Sequence, residues 1–166
     1  GVQTCALPIS YENLSYDSKA AGNLREAGFG TILSHHNDGV IAGTGLLWTL
    51  NDFGTNADRM IKDKVSQHFT FSRSKFTKQS YPSSMMGSMA LIRQVFHDAK
   101  WYAQGNATNK DLSLEAFNNN KSLLQIFNAG DKLNALRADK LGDEFGVKYL
   151  IKGSGNEFER IDEIKK

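Results

Sequence analysis

The stretch "DKLNALRADKLGDEFGVKYLIK" (residues 131–152) limits the possible folds more than any other part of the chain. Its first part is an amphipathic helix with Leu133, Leu136, Leu141 and Phe145 predicted to face inward. Gly146 follows where a helix end favours a left-handed residue, and "VKYLIKG" then has the apolar character of a buried strand. The same order of helix, glycine and strand occurs earlier. There, residues 16–27 place Ala20, Leu24 and Ala27 on one face, Gly28 follows, and "FGTILS" is predicted as a strand. "VIAGTGLLWTL" and "RMIKDKVSQHFTF" are two further extended stretches, separated by the turn-rich "NDFGTNAD". The clearest helix begins at Met85, with Met85, Met89, Ile92, Phe96 and Ala99 on one face and Ser83 or Ser84 as N-cap. A short helix near Leu112–Asn118 and a buried strand in "SLLQIFNAG" complete the pattern. Helices alternating with strands predict a parallel α/β architecture, with functional groups on the loops after the strands.

The first ten residues, "GVQTCALPIS", do not belong to that pattern. Gly1–Ile9 can be encoded by GGA GTT CAG ACG TGT GCT CTT CCG ATC, a string that looks like a sequencing-library adapter. Residues 1–9 are therefore expected to be artefact, and residues 10–166 the interior part of a longer domain. The sole cysteine, Cys5, leaves with that segment, and disulfides, thiolate metal sites and cysteine nucleophiles leave with it. A formal net charge of +2 is too small to favour nucleic acid or anionic membrane. No apolar run approaches the roughly 20 residues of a membrane-spanning helix. The compartment is left open.

Residue types narrow the chemistry further. His35 and His36 end a predicted strand, where alternation sends their side chains to opposite faces, away from a shared metal. With nearby Asp38 they are candidates for a site, set against a solvent-exposed loop pair. His68 alternates with Phe69 and Phe71 as a packed or surface strand histidine, and His97 beside Asp98 reads as a satisfied helix histidine. Gly39, Gly43 and Gly45 lack both the P-loop lysine and the dinucleotide-binding spacing, so they are read as turn residues. The loop "FTFSRSKFTKQSYP" interleaves Arg73, Lys75 and Lys78 with Phe69, Phe71, Phe76 and Tyr81. That mixture can stack on bases, yet Asp58 and Asp63 lie close by, so the loop is assigned to a substrate-side or interdomain role. Asp143 and Glu144 are adjacent on a helix and splay apart, which is wrong for an acid/base pair.

Four blocks in order, "REAGFGTIL", "GTGLLWTL", "YPSSMMGSMALIRQVFHDAKWY" and "NALRADKLGDEFGVKYLIKGSGNEF", resemble the imidazolonepropionase-like branch of the metal-dependent amidohydrolases. That resemblance implies a partial (β/α)8 TIM barrel, incomplete at both ends, with its site at the C-terminal ends of the strands. It also implies a divalent, zinc-like metal that activates water for hydrolysis of a non-peptide C–N bond in a small-molecule substrate. The family's first His-x-His pair would precede Ser10, and its last aspartate would follow Lys166. The rest of the same barrel is then the chain's principal partner.

Inside the chain the family's histidine positions are substituted. A pattern like "HAHRADD" corresponds to "FNAGDKL", with Asn128 and Gly130 at the two histidines. A pattern like "HATE" corresponds to "SGNE", with Ser154 at the histidine and only Glu157 kept. Glycine has no donor atom, and serine and asparagine are poor zinc ligands, so the expected metal has no ligand set within this segment. By the same resemblance, Gly43, Gly45, Arg73 and Tyr81 belong to substrate-side loops. Two alternatives to a hydrolase stay open: a barrel with a degenerate metal site that binds ligands or partners, and a free-standing α/β domain outside the family.

Overall fold

In a computed structural model, described over residues 15–75 and 81–164, the chain forms one five-stranded sheet with helices on one face. The adapter-like residues 1–9, and Phe76 and Lys78 of the basic–aromatic loop, lie outside the described residues. The elements run α1 (Ser18–Glu26), β1 (Thr31–His35), β2 (Ile41–Thr49), a short α2 (Asn56–Arg59), β3 (Met60–Thr70), α3 (Met85–Ala103) and α4 (Leu112–Asn119). They continue with β4 (Leu124–Asn128), α5 (Lys132–Phe145), β5 (Tyr149–Lys152) and a terminal α6 (Ile161–Ile164). The spatial order of the strands equals their chain order, β1 to β5.

The sheet is mixed, which corrects the all-parallel expectation. β1–β2 and β2–β3 pair antiparallel, while β3–β4 and β4–β5 pair parallel. Connection length gives the reason. Only residues 36–40 join β1 to β2, too few for the crossover that a parallel pair needs. From β3 onward the connections carry α3 and α4, and then α5, and the parallel arrangement appears. Because β2 alone runs in reverse, β1, β3, β4 and β5 all end on the same side of the sheet.

Alternation along each strand divides the sheet into two unlike faces. On one face Phe69 and Phe127 pack with Met89, Ile92, Val95 and Phe96 of α3, Phe117 of α4, and Ala135, Ala138 and Leu141 of α5. Phe69 stacks near Phe96 and Phe127, at ring-centroid separations of 6.4 and 6.2 Å. The other face carries His68, Ile126 and Leu150 in register across three strands. Among the described residues no helix covers it, and Leu33, Leu124 and Leu150 are 36%, 47% and 51% exposed.

Several sequence expectations are met here and others corrected. Ser84 caps α3 by accepting from the Gly87 N–H at 3.1 Å, and Gly146 closes α5 with φ +67°. Leu133 was expected inward but is 46% exposed; the α5 stripe that meets the core is Ala135, Ala138, Leu141 and Gly142. A Cβ on Gly142 would run into the Val147 carbonyl, so the helix comes close to the following turn only because that residue is glycine. On α1 the buried residue is Ala21, and Ala20 is exposed. β5 was expected buried, yet it alternates between half-buried and exposed residues because its second face lacks cover. Gly43 and Gly45 were expected in a loop and instead lie inside β2, paired with His68 and Ser66.

Candidate functional site

The common end of β1, β3, β4 and β5 collects most of the polar residues singled out above. Thr70, Asn128 and Lys152 are register partners across the ends of β3, β4 and β5. Alternation places all three on the face that also carries Ser66 and His68. His35 ends β1 and pairs with Gly45, which in turn pairs with Ser66.

Across Gly45 the imidazoles of His35 and His68 meet. Their ring centroids lie 3.7 Å apart with planes 8° from parallel. β2 runs between their strands, and it contributes only hydrogen at this position, which leaves room for the stack. A Cβ on Gly45 would fall on Ser66 Oγ and come within 2.7 Å of His68 Nε2. His68 Nε2 shares a 2.8 Å hydrogen bond with Ser66 Oγ, and both residues are buried. His35 Nδ1 donates to the His36 carbonyl at 3.0 Å, which fixes that nitrogen as the protonated one and leaves Nε2 with its lone pair.

Both imidazoles are pushed toward the neutral form. Burial pushes His68 down to about 4, with the nearby charges of His35 and Lys152 adding to the effect. Burial also lowers His35, with Lys152 and His36 contributing and the bond to the His36 carbonyl opposing. His36 itself is exposed in the loop after β1.

The remaining candidates are tied into the loops around this end. Asp38 accepts from the Lys75 N–H at 2.8 Å and from Ser74 Oγ, which clasps the β1–β2 loop to the loop after β3. Burial alone would raise its pKa, but those hydrogen bonds and the charges of His36 and Lys75 hold it below the usual carboxylate range. Glu157 accepts from the Ser154 and Gly155 N–H groups at 2.8 and 2.9 Å, and the Ser154 bond is the leading cause of its lowered pKa. Glu157 therefore closes the turn after β5 with both oxygens occupied. Ser154 Oγ donates to Asn156 at 2.8 Å, and Gly130 is exposed with φ +76°. Arg73 is exposed on the loop after β3, and Tyr81, also exposed, donates to the Gly87 carbonyl at 2.9 Å.

The described residues at this strand end do not fit a divalent metal. Asn128, Gly130 and Ser154 stand at the positions where the amidohydrolase resemblance puts imidazoles, and Glu157 is occupied by its own turn. Lone pairs of imidazole lie in the ring plane, so two rings stacked face to face hold theirs in separate, nearly parallel planes and do not converge on one ion. No group of three or more His, Cys, Asp or Glu side chains among the described residues is placed to hold a metal. What this strand end offers is a set of hydrogen-bond donors and bases: Thr70, Asn128, Lys152 and the two imidazoles.

The His35–His68 pair and Lys152 were missed as a unit by sequence reasoning. A glycine inside an extended stretch was the available signal, since it marks a place where another group approaches closely. Which group approaches depends on strand order.

No family model matches the chain, and comparison with curated proteins finds no match. Among solved structures, an amidohydrolase from Thermotoga maritima MSB8 has a similar fold, with a TM-score of 0.67 at 18% identity over 90% of this chain. The chain spans 44% of the length of that protein. Its mixed α/β fold is thus similar to that of an amidohydrolase. Among the described residues no helix is long and apolar enough to cross a membrane.

Proposed function

We propose that this chain is one wall of an amidohydrolase-type barrel of the imidazolonepropionase-like kind. In this reading the whole protein hydrolyses a non-peptide C–N bond of a small molecule held at the strand ends. One observation supports it most: in a fold like that of an amidohydrolase, His35, His68, Thr70, Asn128 and Lys152 gather at one end and on one face of the sheet. That is the end at which barrels of this class carry their chemistry. The segment's task is to hold substrate. The Asn128 amide and the Thr70 hydroxyl are hydrogen-bond donors suited to a carbonyl oxygen, and the Lys152 ammonium is a third. The imidazoles, kept neutral, are suited to accepting a proton.

A divalent metal, as the resemblance implies, would supply an activated water. Its ligands would come from outside the described residues. The donor set itself favours a second reading, in which the barrel has lost metal chemistry and binds a small molecule without turning it over. The test supplies the full-length protein with Zn2+ and a panel of small linear and cyclic amides, then measures turnover and retained metal. Turnover with retained metal, and a raised KM in Lys152→Gln and Asn128→Ala, supports hydrolysis. Saturable binding with neither turnover nor retained metal overturns it in favour of the second reading.

A further inference from the structure

We propose that the common end of β1, β3, β4 and β5 is a binding site for a small oxyanion, a carboxylate or phosphate group, held by Lys152 together with His35 and His68. This deepens the proposed function by naming the class of ligand, and it rests on that reading for the location of the site.

Placement comes first. Lys152 lies beside Asn128 and Thr70 in register, on the face that carries His68. The stacked imidazoles of His35 and His68 stand on the same face, across Gly45. Three side chains able to carry positive charge thus share one patch, with two neutral hydrogen-bonding side chains between them.

Among the described residues the patch has no acidic counterpart. The charged groups that act on the two imidazoles are Lys152 on both, His36 on His35, and His35 on His68, all basic. From β2 this patch receives Gly43 and Gly45, and from β4 it receives Ile126 and Asn128, none of which titrates. Among the described residues, Lys152 takes part in no ion pair. The nearby carboxylates are committed elsewhere: Asp38 to Ser74 and Lys75, and Glu157 to Ser154 and Gly155. Asp131, at the start of α5, caps that helix by accepting from the Asn134 N–H, so the helix end is closed to an outside anion.

Basic groups gathered without an acid repel one another, and an oxyanion turns that repulsion into attraction. His35 has its lone pair on Nε2, so a proton taken up there creates a donor for the anion. Binding and protonation are then linked, and affinity must rise as pH falls.

The experiment titrates the full-length protein with sodium acetate and, separately, sodium phosphate. Ionic strength is held constant with chloride, and the ring resonances of His35, His36, His68 and His97 are followed by NMR. The expected result is a saturable shift at His35 and His68 with none at His97, tighter at pH 6 than at pH 8. Lys152→Gln should weaken it about tenfold and Lys152→Arg should retain it, as loss of one charge-assisted contact requires. Saturation by acetate alone assigns a carboxylate, and by phosphate alone a phosphate. Shifts that chloride reproduces, or equal binding by Lys152→Gln, overturn the proposal. If neutral amides bind or turn over while neither anion saturates, the oxyanion site fails and the proposed function survives. If nothing binds, both fail.

Discussion

At Gly45, β2 adds no side chain to the face where His35 and His68 stack, and the pair depends on that gap. Gly45→Ala would press a methyl against Ser66 Oγ and His68 Nε2, with Leu33 Cδ1 at 3.2 Å. The expected cost is about 1–3 kcal/mol, read as a lower denaturation midpoint together with loss of the ring-current shifts of the two histidines. His68 gives the chain a pH dependence with a definite sign. Its folded-state pKa of about 4 lies below the unfolded value of 6.5. Between those values the unfolded chain takes up a proton that the folded chain refuses. The stability that the neutral His68 contributes is therefore full above about pH 6.5 and is lost as the pH drops toward 4. Chemical denaturation from pH 7.5 to 4.5 measures this, and His68→Asn should flatten the profile.

Among the elements, α5 shows how local signals set boundaries. Asp131 accepts from the Asn134 N–H at 2.9 Å, and Gly146 turns left-handed at the other end. Asp131→Ala should cost about 1 kcal/mol in an equilibrium unfolding measurement, the usual value of an N-cap. The C-terminal end of this helix was legible in the sequence at Gly146, because a cap acts over three or four residues, whereas Asp131 was not singled out as its N-cap. Its buried stripe was only half legible. Leu133 has the right chemistry for a core but sits off the line of Ala135, Ala138, Leu141 and Gly142, so bulk misled where position decided. Asn128, Gly130 and Ser154 were equally legible as poor metal ligands, since donor chemistry belongs to the residue type. What they face was not legible.

At the scale of the whole molecule, the sheet carries helices on one face and leaves Leu33, Leu124 and Leu150 exposed on the other. β1 and β5 are its open edges. Exposed leucines on a face flanked by edges that are unpaired among the described residues favour association. The 166-residue chain alone is expected to sediment as concentration-dependent oligomers, and Leu150→Lys should shift it toward monomer at equal concentration. Equal sedimentation of the two would remove this face as the cause. By itself, the sequence determined the long helices, the caps at Ser84 and Gly146, and the helix–strand alternation, because each depends on neighbours a few residues away. Tertiary structure alone decided the mixed orientation of the sheet, the place of Gly43 and Gly45 inside β2, and the meeting of His35, His68 and Lys152. Those contacts join strands distant in the chain, and only pairing between strands brings their side chains into reach.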